Sequence, residues 1–218
     1  MRGLATRTNE RHAVLAAGMA VVLFAPLFRW GLARPTVFWW WMSGLLLLLN
    51  IAILIARPDL RRQLGADFRT NPLKKLMAGT VSAAGLYLVF FVGRALLSAL
   101  LPDSEQHISS VYLLRSALPS WFIALLLIAI IGPGEEIFWR VFLHQTFRAR
   151  YGARNGLFLT ASLYAAVHAG SGNPVLIVAA LTAGLFWGWL YSSSRSAFVI
   201  ISSHVVWDLS VFLFAPFS

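Results

Sequence analysis

Seven apolar segments dominate this chain and leave it few folds. They run over about residues 12–32, 38–56, 76–101, 119–147, 155–169, 174–191 and from 196 to the C-terminus. Segments near 20 residues are long enough to span the hydrocarbon core as helices. In lipid, only helices and closed barrels satisfy their own backbone polar groups. The 218 residues are 59% hydrophobic and 12% charged, with a mean hydropathy of +0.73; a soluble domain is roughly one quarter charged. The sequence therefore predicts an all-α, polytopic membrane helix bundle of about seven transmembrane helices in a single domain. Residues 1–118 hold three spans and their loops, and residues 119–212 hold a motif-bearing core. The first segment is longer than a signal-peptide core, and Phe28-Arg29-Trp30 is no small-residue cleavage site, so it reads as a retained helix.

The net charge of +10 points to the bilayer rather than to nucleic acid, because the basic residues lie between the apolar segments. Arg2, Arg7, Arg11, the six basic residues of the 57–75 loop, Arg148, Arg150, Arg154 and Arg195 make 13 of the 18 Lys and Arg. All 13 fall on one side of a seven-span topology, and the opposite loops hold only Arg34 and Arg115. The positive-inside rule then puts the N-terminus in the cytoplasm and the C-terminus outside, with a bacterial inner (cytoplasmic) membrane as the expected location. The 57–75 stretch reads as a solvated loop, and residues 102–118 as an outer loop with room for a short surface helix. Phe38-Trp39-Trp40-Trp41 fits an aromatic belt at headgroup level. Arg94 either snorkels to the interface or forms a salt bridge within the bundle. His12, His107 and His144 read as interfacial or solvated residues. With no cysteine, disulfides and thiolate chemistry are excluded.

Against this background the run Gly132-Pro133-Gly134-Glu135-Glu136-Ile137-Phe138-Trp139-Arg140 stands out. An ionisable group inside the membrane costs several kcal/mol and is a functional-site hypothesis by default. Here three such groups fall within six residues. Glu136 and Arg140 are four apart, share a helix face and can pair, which leaves Glu135, turned about 100° away, for chemistry. Tyr164 and His168 are also four apart, as are His204 and Asp208. Counting about 1.5 Å per residue from the basic termini, Glu135, His168 and Asp208 all lie roughly 20 Å deep, and His204 roughly 13 Å. Three helices thus bring these groups into one layer, expected at the midplane or in the cytoplasmic half. Pro133 removes a helix hydrogen bond, so a kink or a break is expected there.

A glutamate and a histidine around a buried water form a general base for hydrolysis, and a second histidine can donate to the developing oxyanion. That reading assigns Glu135 and His168 to water activation and His204 to the oxyanion. An ionised Asp208 repels an oxyanion, so Asp208 acts either protonated or by orienting His204. Two histidines and a carboxylate (Glu135, His168, His204) can also hold zinc. The chain lacks a His-Glu-x-x-His helix, and the reading without metal or other cofactor is preferred.

Glu135-Glu136-x-x-x-Arg140, Tyr164-x-x-x-His168 and His204-x-x-x-Asp208 together resemble, in order and separation, the three motifs of the CAAX-prenyl-protease and bacteriocin-processing family of intramembrane proteases, also called the Abi family. The resemblance covers about residues 119–212. It implies a glutamate-type intramembrane endopeptidase with Glu135 and His168 on water, His204 and Asp208 as the third-motif pair, and Glu136, Arg140 and Tyr164 supporting the site. It also implies a membrane-associated protein or peptide substrate. The chain carries Tyr164 where the family usually has Phe, and Asp208 where Asn is common. Two rival readings are a proton-coupled transporter, whose relay also uses buried Glu, His and Asp, and a catalytically idle member that binds a partner, as an immunity protein does. Inverted repeats or paired broken helices would favour transport; the sequence has one Gly-Pro-Gly and no internal repeat.

Overall fold

The computed structural model describes residues 14, 15 and 17–217, and these form helices and no strand. The helices are α1 (Ala17–Gly31), α2 (Pro35–Ala56), α3 (Pro58–Arg69), α4 (Pro72–Leu100), α5 (Ser104–Tyr112), α6 (Ser120–Tyr151), α7 (Ala153–His168), α8 (Pro174–Ser194) and α9 (Ala197–Phe214). Among the described residues five of them, α2, α4, α6, α8 and α9, are long and apolar enough to cross a membrane. The expected first span appears as the shorter α1 and the expected fifth as the 16-residue α7. His12 lies outside the described residues. The outer surface helix appears as α5.

The helix starts follow from local chemistry. Proline opens α2, α3, α4 and α8, where its missing N–H would have had no partner. Asn173 Oδ1 accepts from the Leu176 N–H at 3.0 Å and caps α8. Ser196 Oγ accepts from the Val199 N–H at 3.2 Å and caps α9. The 57–75 stretch is not the open loop its charge suggests. Leu60 and Leu64, one helical turn apart, turn residues 58–69 into an amphipathic helix that buries Leu60.

α6 does not break at Pro133. Just upstream, residues 127–131 form a wider turn in which the Gly132 N–H donates to the Leu127 carbonyl five residues back. Such a turn lets the chain go round the proline ring without ending the helix. A second wide stretch follows at residues 137–144.

α4 lies along α9 and α7 along α8. Small residues permit the close approach: a Cβ on Gly79 would meet Ser202 Cβ at 2.6 Å and the Val199 carbonyl at 2.8 Å. At the basic end of the bundle, Asp67 on α3 accepts from Lys75 Nζ at 2.6 Å, Ser196 Oγ at 3.0 Å and the Phe198 N–H at 2.9 Å. Burial pushes the Asp67 carboxyl up, but Lys75, Phe198 and Ser196 outweigh it and hold the pKa below the usual value. At the other end Arg94 on α4 makes a two-pronged pair with Glu105 on α5, at 3.0 and 2.9 Å. The salt-bridge reading of Arg94 holds, although with an α5 partner at an exposed position. His107 lends its carbonyl to Asn173 Nδ2 at 2.7 Å.

Candidate active site

The two adjacent glutamates of α6 are both buried, and the structure gives them different partners. Glu136 Oε1 accepts from Arg140 Nη1 at 2.8 Å, the pairing that the four-residue spacing predicts. The same oxygen also accepts from His204 Nδ1 on α9 at 2.7 Å. Glu136 therefore ties the first motif to the third. The Arg140 guanidinium lies over the faces of Tyr164, 4.7 Å from the ring centre, and Trp187, at 5.4 Å. These rings offer it cation–π contact in place of water.

Glu135 points another way. Its Oε2 accepts a 2.5 Å hydrogen bond from the Tyr164 hydroxyl on α7. One turn along α7, His168 Nδ1 donates to the Tyr164 carbonyl at 2.7 Å, since a carbonyl can only accept. In the neutral ring this fixes the proton on Nδ1 and leaves the Nε2 lone pair free. Phe28 of α1 packs on the His168 ring with centroids 4.2 Å apart. Tyr164 thus holds Glu135 with its side chain and His168 with its backbone. Phenylalanine at this position would keep the second contact and lose the first.

His204 stacks on Trp187 with ring centroids 3.8 Å apart and planes 19° apart. With Nδ1 engaged by Glu136, its Nε2 faces Asp208 Oδ2 at 3.5 Å, longer than a good hydrogen bond. Trp187 Nε1 donates to Ser203 Oγ at 3.2 Å, so this serine braces the stacking tryptophan.

Glu135, Tyr164, His168, His204 and Asp208 all line one cavity of about 320 Å³. Glu136 and Arg140 sit behind it. The remaining lining is mostly apolar and comes from α1, α2, α4, α5, α6, α8 and α9, so the first three spans complete the walls. Among the described residues no group of three His, Asp or Glu side chains is arranged to hold a metal ion.

Several contributors carry no motif signal. Asn50 on α2 donates from Nδ2 to the Gly134 carbonyl at 3.0 Å and to the Leu46 carbonyl at 2.8 Å, which pins the turn just before the glutamates. A polar amide in the apolar 38–56 run, which otherwise holds only Ser43 as a polar side chain, was the available clue. His144, read from sequence as interfacial, is buried and bonds through Nε2 to Ser192 Oγ at 3.0 Å. Through Ser192 it contacts α8, and it lies at the end of the widely wound stretch 137–144.

Fold and cavity define a polytopic helical membrane protein with an ionisable site enclosed by its bundle. Residues 117–210 match the family model described as Type II CAAX prenyl endopeptidase Rce1-like, a little under half of the chain and all three motifs. The matched stretch is the motif-bearing part of the chain, and the family is the one that its motifs resemble. No curated protein and no solved structure matches the chain.

Proposed function

We propose that the protein is an intramembrane endopeptidase that hydrolyses a peptide bond of a membrane-associated protein or peptide. The single observation that carries this reading is the Tyr164 bridge. It sets a carboxylate and an imidazole side by side on one cavity, each with one polar atom anchored. Water between Glu135 and His168 Nε2 loses a proton to this pair as it attacks the carbonyl carbon. The carbonyl oxygen takes up the negative charge. His204, protonated and anchored through Nδ1 to Glu136, donates to it from Nε2, and Asp208 keeps the ring in register. The proton then passes to the leaving amine as the carbon–nitrogen bond breaks. The step uses water and no cofactor, and the metal-free reading is retained for this chain. The protein is placed in a bacterial cytoplasmic membrane with its N-terminus inside and its C-terminus outside, on the strength of the basic loops.

Purified protein in liposomes is tested for cleavage of candidate precursors beside Glu135→Gln, each with and without a strong chelator. Glu135→Gln is expected to lower the rate about 10²- to 10⁴-fold, the usual contribution of a general base, with the fold intact. Cleavage should be indifferent to chelator. Chelator-sensitive cleavage restored by zinc would instead make Glu135, His168 and His204 ligands. An active Glu135→Gln protein would overturn the assignment.

A further inference from the structure

The cavity is one-sided. Its lining reaches Trp39 at the start of α2, Leu97 near the end of α4, Tyr112 of α5, Leu176 at the start of α8, and Phe212 and Phe217 at the chain end. All of these sit at the end of the bundle that holds α5. Among the described residues, none from α3, from the α6–α7 turn or from the α8–α9 turn lines it. α3 carries Arg61, Arg62 and Arg69, the last turn of α6 and the first of α7 carry Arg148, Arg150 and Arg154, and the α8–α9 turn carries Arg195. The cavity therefore opens at the end of the bundle remote from the basic loops.

The wall has a second property. Between α4 and α8 it is formed mainly by Val89, Phe90 and Leu97 on one side and Val178, Ala179 and Ala183 on the other, with Arg94 and Thr182 as the polar side chains among them. Val89 and Val178 are each 48% exposed on the outside of the bundle. Apolar side chains that are both cavity wall and outer surface face lipid, and they favour an occupant that is itself apolar.

From these two observations we infer that the catalytic cavity faces the non-cytoplasmic side. Its substrate is a membrane-anchored polypeptide whose scissile bond lies in the outer half of the bilayer, beside apolar residues. This reverses the midplane or cytoplasmic depth expected from residue counting alone. The substrate half of the inference rests on the endopeptidase reading; the sidedness does not.

The absence of cysteine from the chain makes sidedness directly measurable. Single-cysteine proteins Gln106→Cys, at an exposed position of α5, and Ala66→Cys, at an exposed position of α3, are treated in intact cells with a membrane-impermeant maleimide. The Gln106→Cys protein is expected to label at least ten-fold faster than Ala66→Cys, which should react only after permeabilisation. The reverse pattern overturns the inference. In parallel, reporters with one apolar span and a cleavable segment placed on either its cytoplasmic or its outer side are co-expressed with the protein or with Glu135→Gln. Glu135-dependent cutting of the outer-side reporter is expected. Cutting of the cytoplasmic-side reporter alone overturns the substrate assignment and keeps the endopeptidase. Cutting of neither, with labelling as expected, overturns the endopeptidase reading and leaves the sidedness standing.

Discussion

The two ends of this bundle use the same kinds of side chain to opposite ends. At the basic end polar groups close on one another: Asp67 is held by Lys75, Ser196 and Phe198, and Gln63 and Gln145 both donate to the Tyr191 hydroxyl. His144 is buried beside Ser192 and away from the cavity, held through Nε2 alone. At the cavity end the polar groups are anchored on one atom only. Tyr164 engages one oxygen of Glu135 and one nitrogen of His168, and Glu136 engages one nitrogen of His204. Two histidines of one chain, His144 and His168, thus differ in surroundings: the first packs beside α8 away from the cavity and the second lines it. A closed network fixes helices against each other; a half-anchored one holds side chains in place and leaves polar atoms facing the cavity.

The contrast is broken most severely at Glu136, the buried carboxylate that faces both ways. Glu136→Ala leaves Arg140 buried without its ion-pair partner, a loss of about 3–5 kcal/mol, and also frees His204. Folded yield in detergent and cleavage should both collapse. A variant that folds normally would show that the Arg140 rings alone stabilise the guanidinium. Tyr164→Phe sharpens the contrast, because it removes one hydroxyl and retains the backbone contact to His168. A hydrogen bond to a charged group contributes about 1.5–3 kcal/mol, so the thermal midpoint should fall by a few degrees, and the cleavage rate, which depends on the setting of Glu135, should fall roughly ten- to one-hundred-fold. A rate equal to wild type would remove Tyr164 from the positioning of Glu135.

The smallest effect belongs to the closed end. Asp67 has a folded pKa below its unfolded value, so its contribution to stability is full above the unfolded pKa and is lost as pH falls through the folded one. The thermal midpoint of wild type should therefore drop as pH is lowered through and below the ordinary carboxylate range. Asp67→Asn should lower the midpoint by a few degrees at neutral pH and flatten that acid limb. Cleavage by Asp67→Asn at neutral pH should stay within about two-fold of wild type, since α3 contributes nothing to the cavity. A larger loss of activity would mean that the two ends are coupled.

What the sequence made legible is what helix periodicity governs. Glu136 with Arg140, Tyr164 with His168 and His204 with Asp208 are each four residues apart, and each does share a face. The apolar runs locate the five long spans. Two kinds of feature were out of reach. Contacts between helices leave no spacing in the sequence: Glu136 reaches His204 across 68 residues, and Asn50 reaches Gly134 across 84. The role of a single hydroxyl was also hidden, because Tyr164 and Phe are equally apolar in bulk and differ only in an atom whose partner is on another helix. The α3 helix was within reach. Pro58 followed by Leu60 and Leu64 is a helix start with an apolar stripe, masked by the charge around it.

One feature of α6 bears on how such a site can change. A wide turn takes up one residue more than an ordinary turn, so the helix beyond it is rotated by about 100° relative to an unbroken α-helix. Residues 132–136 lie between two such turns, at 127–131 and 137–144. The phase of the glutamate segment is therefore set separately from the helix on either side. Losing one residue at 127–131 and gaining one after 136 would swing both carboxylates around the axis while the flanking helix kept its faces. A single helix that must remain fixed in the bundle at both ends carries in its middle a short segment whose angular setting evolution can adjust by itself.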